Sequence, residues 1–171
     1  MFHPIRPSRR QFLLPALLTA LVAATAVALP LTAHAYDERA TIAINLDAQG
    51  VALKGYDPVS YFSASGPTEG KAELSHSHEG ATYRFASAAN RDSFRAAPAR
   101  YAPAFGGFCA MGVALNKKLD VDPHLWRIVD GKLYLNVHKE AQSRWLEDVK
   151  GNVAQALSNW SVIKDKAPNT L

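Results

Sequence analysis

A small single-domain α+β fold, with two β-hairpins and about three helices, follows from three features of the sequence. Two pairs of alternating apolar runs are each split by a two-residue turn, Glu79-Gly80 in the first and Asp130-Gly131 in the second. Between them, Ser87 stands in front of a helix-compatible run, as a capping residue does. Behind the second pair, Ala141, Trp145 and Val149 recur every four residues, and Val153, Leu157 and Trp160 continue the pattern. Strand pairs followed by helices, with no strict strand-helix alternation, fit an α+β core.

Taken in order, residues 36–50 mix charge with alternating apolar positions and read as a tether or short first strand leading to Val51-Ala52-Leu53. Gly55-Tyr56-Asp57-Pro58 then forces a turn, because the residue before a proline is pushed out of the helical region. Residues 59–62 form a short apolar element and 63–70 a polar loop. The first hairpin pairs 73–78 with 81–85. A helix over 87–95 follows, with Phe94, Ala97 and Tyr101 sharing a buried face before Pro98 ends the regular turns. Gly106-Gly107 permits positive φ or close backbone approach. The second hairpin pairs 125–129 with 132–137 around a type I′ turn, with Trp126 and Ile128 or their neighbours turned inward. One helix then closes at Lys150-Gly151 and another carries Val153 to Trp160. The domain is expected over 51–160, with 161–171 as a tail and no internal repeat or interdomain linker.

The first 35 residues read as an address. Arg9-Arg10 precedes a long uncharged apolar run that ends in Ala33-His34-Ala35, a small-x-small cleavage pattern. The arginine pair followed by bulky apolar residues resembles the twin-arginine export signal of bacteria, which implies cleavage after Ala35 and a periplasmic mature protein. The competing reading is an uncleaved anchor, since the run approaches spanning length; Pro15, Pro30 and the many alanines favour cleavage, hence no stable membrane insertion afterwards. Subtracting Arg6, Arg9 and Arg10 from the 19 Lys and Arg leaves 16 against 15 Asp and Glu. The basic balance therefore belongs to the address, and the near-neutral remainder, without a basic-aromatic cluster, disfavours nucleic acid as a partner.

Three segments carry a family likeness: ALKGYDPVSYF, EGATYRFASAANRDSFRAAPARYAPAFGGFCAMG and DPHLWRIVDGKLYLN. They resemble exported single-domain members of the YHS domain family, over about 51–160. The resemblance implies an α+β fold descended from heavy-metal-binding modules related to TRASH domains, in which cysteines project from a strand-turn-helix unit. This chain departs from the pattern at the ligands. Ser60 stands where those relatives have a cysteine after Asp-Pro-Val, and Phe85-Ala86-Ser87-Ala88-Ala89-Asn90 replaces Phe-Cys-Ser-x-x-Cys. Alanine cannot ligate, and serine and asparagine are poor substitutes for a thiolate.

What remains is Cys109, the one cysteine of the chain, in the extended family's Gly-Gly-x-Cys-Ala segment. With Met111 nearby it would suit a soft ion, Cu(I) above others. It also fits two other roles, a small buried hydrophobe with Met111 filling core space, or a reactive thiol. His76 and His78 alternate on a strand, so both imidazoles point to one side, a geometry a metal can use; as exposed residues beside a turn, and two ligands without a third, they read more readily as solvated polar groups. His124 and His138 read as cap or surface residues. Tyr56, Asp57 and Tyr61, with Gly106 and Gly107, are candidates for a ligand or partner surface, although Asp57 also reads as a turn residue and the tyrosines as core.

No C-x-x-C, nucleophile elbow or calcium loop is present, so catalysis is not expected. The leading expectation is a non-enzymatic periplasmic YHS-type domain that holds a soft metal ion, copper favoured, or a small metal-containing ligand on an accessible Cys109 sulfur. A metal-free interaction module for an unknown periplasmic protein is the second reading, and a thiol-dependent redox protein the third. A lone exposed thiol would also permit a linked dimer.

Overall fold

The computed structural model describes Met1 and residues 36–171. The export signal expected over 1–35 lies almost wholly outside the described residues. Residues 36–171 form a small α+β domain whose order is β1 (Lys71–His78), β2 (Ala81–Phe85), α1 (Ala88–Ala96), α2 (Pro98–Tyr101), α3 (Ala110–Ala114), β3 (Asp122–Val129), β4 (Lys132–Asn136), α4 (Lys139–Glu147) and α5 (Val149–Ile163). β1 pairs antiparallel with β2, and β3 with β4, as two separate sheets. None of the described helices is long and apolar enough to cross a membrane.

Both hairpins form where alternation and turn chemistry put them. Glu79 and Gly80 have φ of +50° and +80°, and Asp130 and Gly131 have +48° and +73°, the doubly positive pattern of a type I′ turn. Ser87 caps α1, its hydroxyl accepting from the Asn90 N–H at 3.1 Å. Proline then separates α2 from α1, since Pro98 opens the second helix rather than continuing the first.

The closing helices depart from the expected pattern. α4 stops at Glu147, three residues before the Lys150-Gly151 stop that was expected, because Asp148 caps α5 and accepts from the Gly151 N–H at 2.9 Å. Gly151 thus lies in the first turn of α5, where a Cβ would collide with the Asp148 carboxylate. On α5 the fully buried positions are Ala156 and Ile163, whereas Leu157 is 58% exposed. The rotation follows from Asn159, whose amide donates to the Val113 and Ala114 carbonyls at 2.9 and 3.0 Å and sets which face meets α3.

The larger core cluster packs Leu133 and Leu135 of β4 against Trp145, Val113, Ile163 and the Cys109 segment. The smaller one centres on Phe94 with Phe85 and Tyr83. Residues 36–46 form a strap with a bridge at Leu46, rather than a regular strand. A buried lysine fastens it: the Lys118 ammonium donates to the carbonyls of Ile42, Lys164 and Lys166 at 2.8, 2.9 and 2.9 Å, tying the strap to the C-terminal tail. It lies 4.7 Å from the centre of the Phe108 ring.

Candidate functional site

The glycine pair opens the Cys109 segment by both routes available to it. Phe105, Gly106 and Gly107 have φ of +54°, +59° and +83°, a left-handed run that turns the chain back on itself. The strap crosses directly over Gly106, so that a Cβ there would strike the Ala43 carbonyl oxygen and stand 2.9 Å from Ile44 Cα. Asn45 locks the crossing, its N–H donating to Gly106 O at 2.9 Å and its amide to Gly107 O at 3.3 Å and Asp120 Oδ1 at 3.0 Å.

After that bend Cys109 bridges to Leu135 of β4 and caps α3. Its sulfur accepts from the Gly112 N–H at 3.3 Å and donates its proton toward Asn136 Oδ1 at 3.7 Å. The same oxygen accepts from the Met111 N–H at 3.3 Å, while Asn136 Nδ2 is buried without a partner. The expectation of an accessible sulfur is therefore corrected: Cys109 has no exposed surface, because the bridge to β4 draws it under α3. Burial pushes its thiol up from the ordinary value, and the N–H groups of Gly112, Val137 and Met111 pull it back only in part. At neutral pH the group is a thiol.

A cleft of about 220 Å³ nonetheless lies against Cys109. Met111, Leu119, Val137, His138, Glu140 and Arg144 line it too, giving a mostly apolar chamber with a rim of mixed charge. His138 caps α4, its Nδ1 accepting from the Ala141 N–H at 3.1 Å with the Glu140 carboxylate also 3.1 Å away, which leaves Nε2 without a hydrogen bond. The structure thus brings Cys109 and Met111 together and adds His138, which the sequence indicated only as a cap or surface residue.

The other histidine pair goes elsewhere. His76 and His78 do share one side of β1, but both present ring edges to Phe94, at 6.3 and 5.8 Å between centroids, and neither lines the Cys109 cleft. Among the described residues no group of three or more His, Cys, Asp or Glu side chains is arranged to hold a metal. The donors left at the cleft are the soft pair of Cys109 and Met111, one imidazole, His138, and the exposed carboxylate of Glu140 beside it.

The five residues proposed for a partner surface divide sharply. Tyr56 is accessible, its hydroxyl 3.1 Å from His124 Nε2 and 3.5 Å from Glu69 Oε1. Tyr61 is buried, donating to Pro123 O at 3.0 Å with its ring edge on Trp126, and Gly107 is buried too. Gly106 lies under the strap. Tyr61 and Gly107 are framework, and Gly106 keeps only part of its surface beside the strap.

Asp57 is buried as well, and holds together the place where the family resemblance expects thiolates. Its Oδ1 accepts from the Val59 N–H at 2.8 Å; its Oδ2 accepts from the Ala86 N–H at 2.9 Å and from Asn90 Nδ2 at 2.6 Å. Ser60 Oγ donates to the Asp57 carbonyl at 2.7 Å. Ser60, Ala86 and Asn90, the three positions that stand in for cysteines by the resemblance, converge on one residue, Ala86 and Asn90 on the Asp57 carboxylate and Ser60 on its backbone carbonyl. The arrangement is a hydrogen-bonded hub with no soft donor in it.

No protein-family model, curated protein or solved structure matches the chain. The reading of this site therefore rests on its own chemistry.

Proposed function

We propose that the chain is an exported YHS-type binding module that takes a soft metal ion, Cu(I) foremost, or a small metal-containing ligand in the cleft over Cys109, without catalysing a reaction. The observation that carries this reading is the shared cleft: a thiol and a thioether line one chamber, with an imidazole whose Nε2 makes no hydrogen bond and, because Nδ1 accepts from the Ala141 N–H, sheds its proton on taking a metal. Thiolate and thioether donors select Cu(I), and imidazole also suits copper. The Asp57 hub supports the same assignment by elimination, since the position inherited by resemblance holds only a hard carboxylate already occupied by N–H donors. Because Cys109 is protonated in its buried setting, metal entry displaces that proton to solvent, and apparent affinity rises with pH.

The test is a Cu(I) titration of the exported protein against a chromophoric chelator, with metal analysis of the protein as isolated. The expected result is about one equivalent per chain, lost in Cys109→Ser and weakened in Met111→Leu and His138→Gln, on the donor-set argument above. A wild-type protein that takes up no copper at micromolar concentrations would overturn the reading and leave a metal-free interaction module.

A further inference from the structure

A second cavity, of about 420 Å³, shares no lining residue with the Cys109 cleft. Its floor is aromatic. Phe105 stands 5.8 Å from both Tyr134 and Trp160, ring centre to ring centre, and the three rings line the cavity together. Leu157 stands at its edge, 58% exposed, on the same helix as Trp160. The size falls within the range of small-molecule sites, and an aromatic floor with few polar groups is their usual composition.

The polar groups around it are mostly unused donors. Neither the Tyr134 hydroxyl nor the Trp160 indole N–H has a hydrogen-bond partner in the described domain. Lys132 Nζ donates to Ala99 O at 2.6 Å and has no acidic partner, so its charge and two further N–H groups remain available. The rim carboxylate, Glu79, is itself 3.8 Å from His78 Nε2 and largely exposed. Asp130 lies near enough to raise the Tyr134 hydroxyl further above its ordinary value, after burial has done most of that, but does not line the cavity.

An apolar floor, unpaired donors and a cation that makes no ion pair among the described residues call for a ligand with the opposite pattern. We infer that this cavity binds a small aromatic or branched apolar carboxylate, its hydrocarbon body on Phe105, Tyr134 and Trp160 and its carboxylate at Lys132. The site is independent of the Cys109 cleft and stands whether or not copper binds there.

The experiment follows the Trp160 indole N–H by NMR in the exported protein during titration with 1-naphthoate, and in parallel with the neutral analogue 1-naphthalenemethanol. Saturable shifts are expected with both, and the carboxylate should bind about ten-fold more tightly, the worth of one charge-assisted hydrogen bond. Lys132→Gln should erase that preference and leave the neutral compound unchanged. Leu157→Asp, at an exposed position that does not threaten folding, should abolish binding of both. Cys109→Ser should leave both intact, which separates this site from the copper proposal. The absence of saturable shifts, equal affinity for the two compounds, or binding that survives Leu157→Asp would overturn the inference. So would binding of an extended proline-rich peptide in place of either compound, which would make the groove a peptide site.

Discussion

Replacing Asp57 with alanine tests whether its carboxylate organises the segments around Val59, Ala86 and Asn90. The carboxylate accepts from Val59 N–H, Ala86 N–H and Asn90 Nδ2 at 2.8, 2.9 and 2.6 Å and is wholly buried, so truncation strands three donors at once. Hydrogen bonds to a charged group are each worth roughly 1.5–3 kcal/mol, and some relaxation or water entry recovers part, so the net loss should be about 3–5 kcal/mol. For a domain of this size that lowers Tm by roughly 10–20 °C, while leaving it folded at 25 °C if native stability lies in the usual range of about 5–15 kcal/mol. Urea denaturation followed by circular dichroism reads the loss as a lower midpoint at unchanged slope. Asp57→Asn should cost somewhat less, about 2–4 kcal/mol, because one oxygen survives while an N–H is turned against other donors. A double-mutant cycle with Asn90→Ala should return a coupling above about 1 kcal/mol. A loss below about 1 kcal/mol for Asp57→Ala would refute the claim that this carboxylate organises the region.

Two further outcomes follow from the strap and from the buried protons. Gly106→Ala places a methyl on a residue at φ +59° and against the Ala43–Ile44 backbone, so the strap must lift; the strain and overpacking together should cost about 3 kcal/mol. Hydrogen exchange should show the Asn45 amide, which donates to Gly106 O, losing its protection, and an unchanged Asn45 would contradict the crossing. Alkaline pH should weaken the fold. Above 9.0 the unfolded chain releases the Cys109 proton while burial makes the folded chain keep it, and Tyr83 repeats this between 10.0 and about 12. The folded state then binds more protons, so stability falls as pH rises through that window. Tyr61, also raised by burial, adds to the fall, whereas Lys118, lowered by burial, opposes it. The urea midpoint should therefore decline above pH 9.0, with Cys109→Ser removing the earliest part, and folded protein should alkylate far more slowly than unfolded; a midpoint flat to pH 12 would contradict both burials.

Local rules made much of the fold legible. Asp130-Gly131 and Glu79-Gly80 specify their hairpins because doubly positive φ is cheap for those pairs, and Ser87 specifies a helix start because one hydroxyl satisfies an N–H that has no helical partner. The same logic anticipated the left-handed backbone at Gly106-Gly107. It failed at Gly151, whose neighbour Asp148 turned a plausible helix stop into the first turn of the next helix, and at Leu157, where Asn159 chose the buried face.

The sequence by itself determined where strands turn and helices begin, and that the chain holds a single cysteine, because turns and caps depend on neighbours in the chain and a donor inventory on composition alone. Only the tertiary structure decided that Cys109 is buried under α3 beside Met111 and His138, and that His76 and His78 belong to a different cluster. It alone gathered Ser60, Ala86 and Asn90 around Asp57, and three distant carbonyls around Lys118. The reason is physical: exposure, proton affinity and donor geometry are set by groups separated by tens of residues along the chain, and no periodicity or spacing records which of them meet once the core has closed.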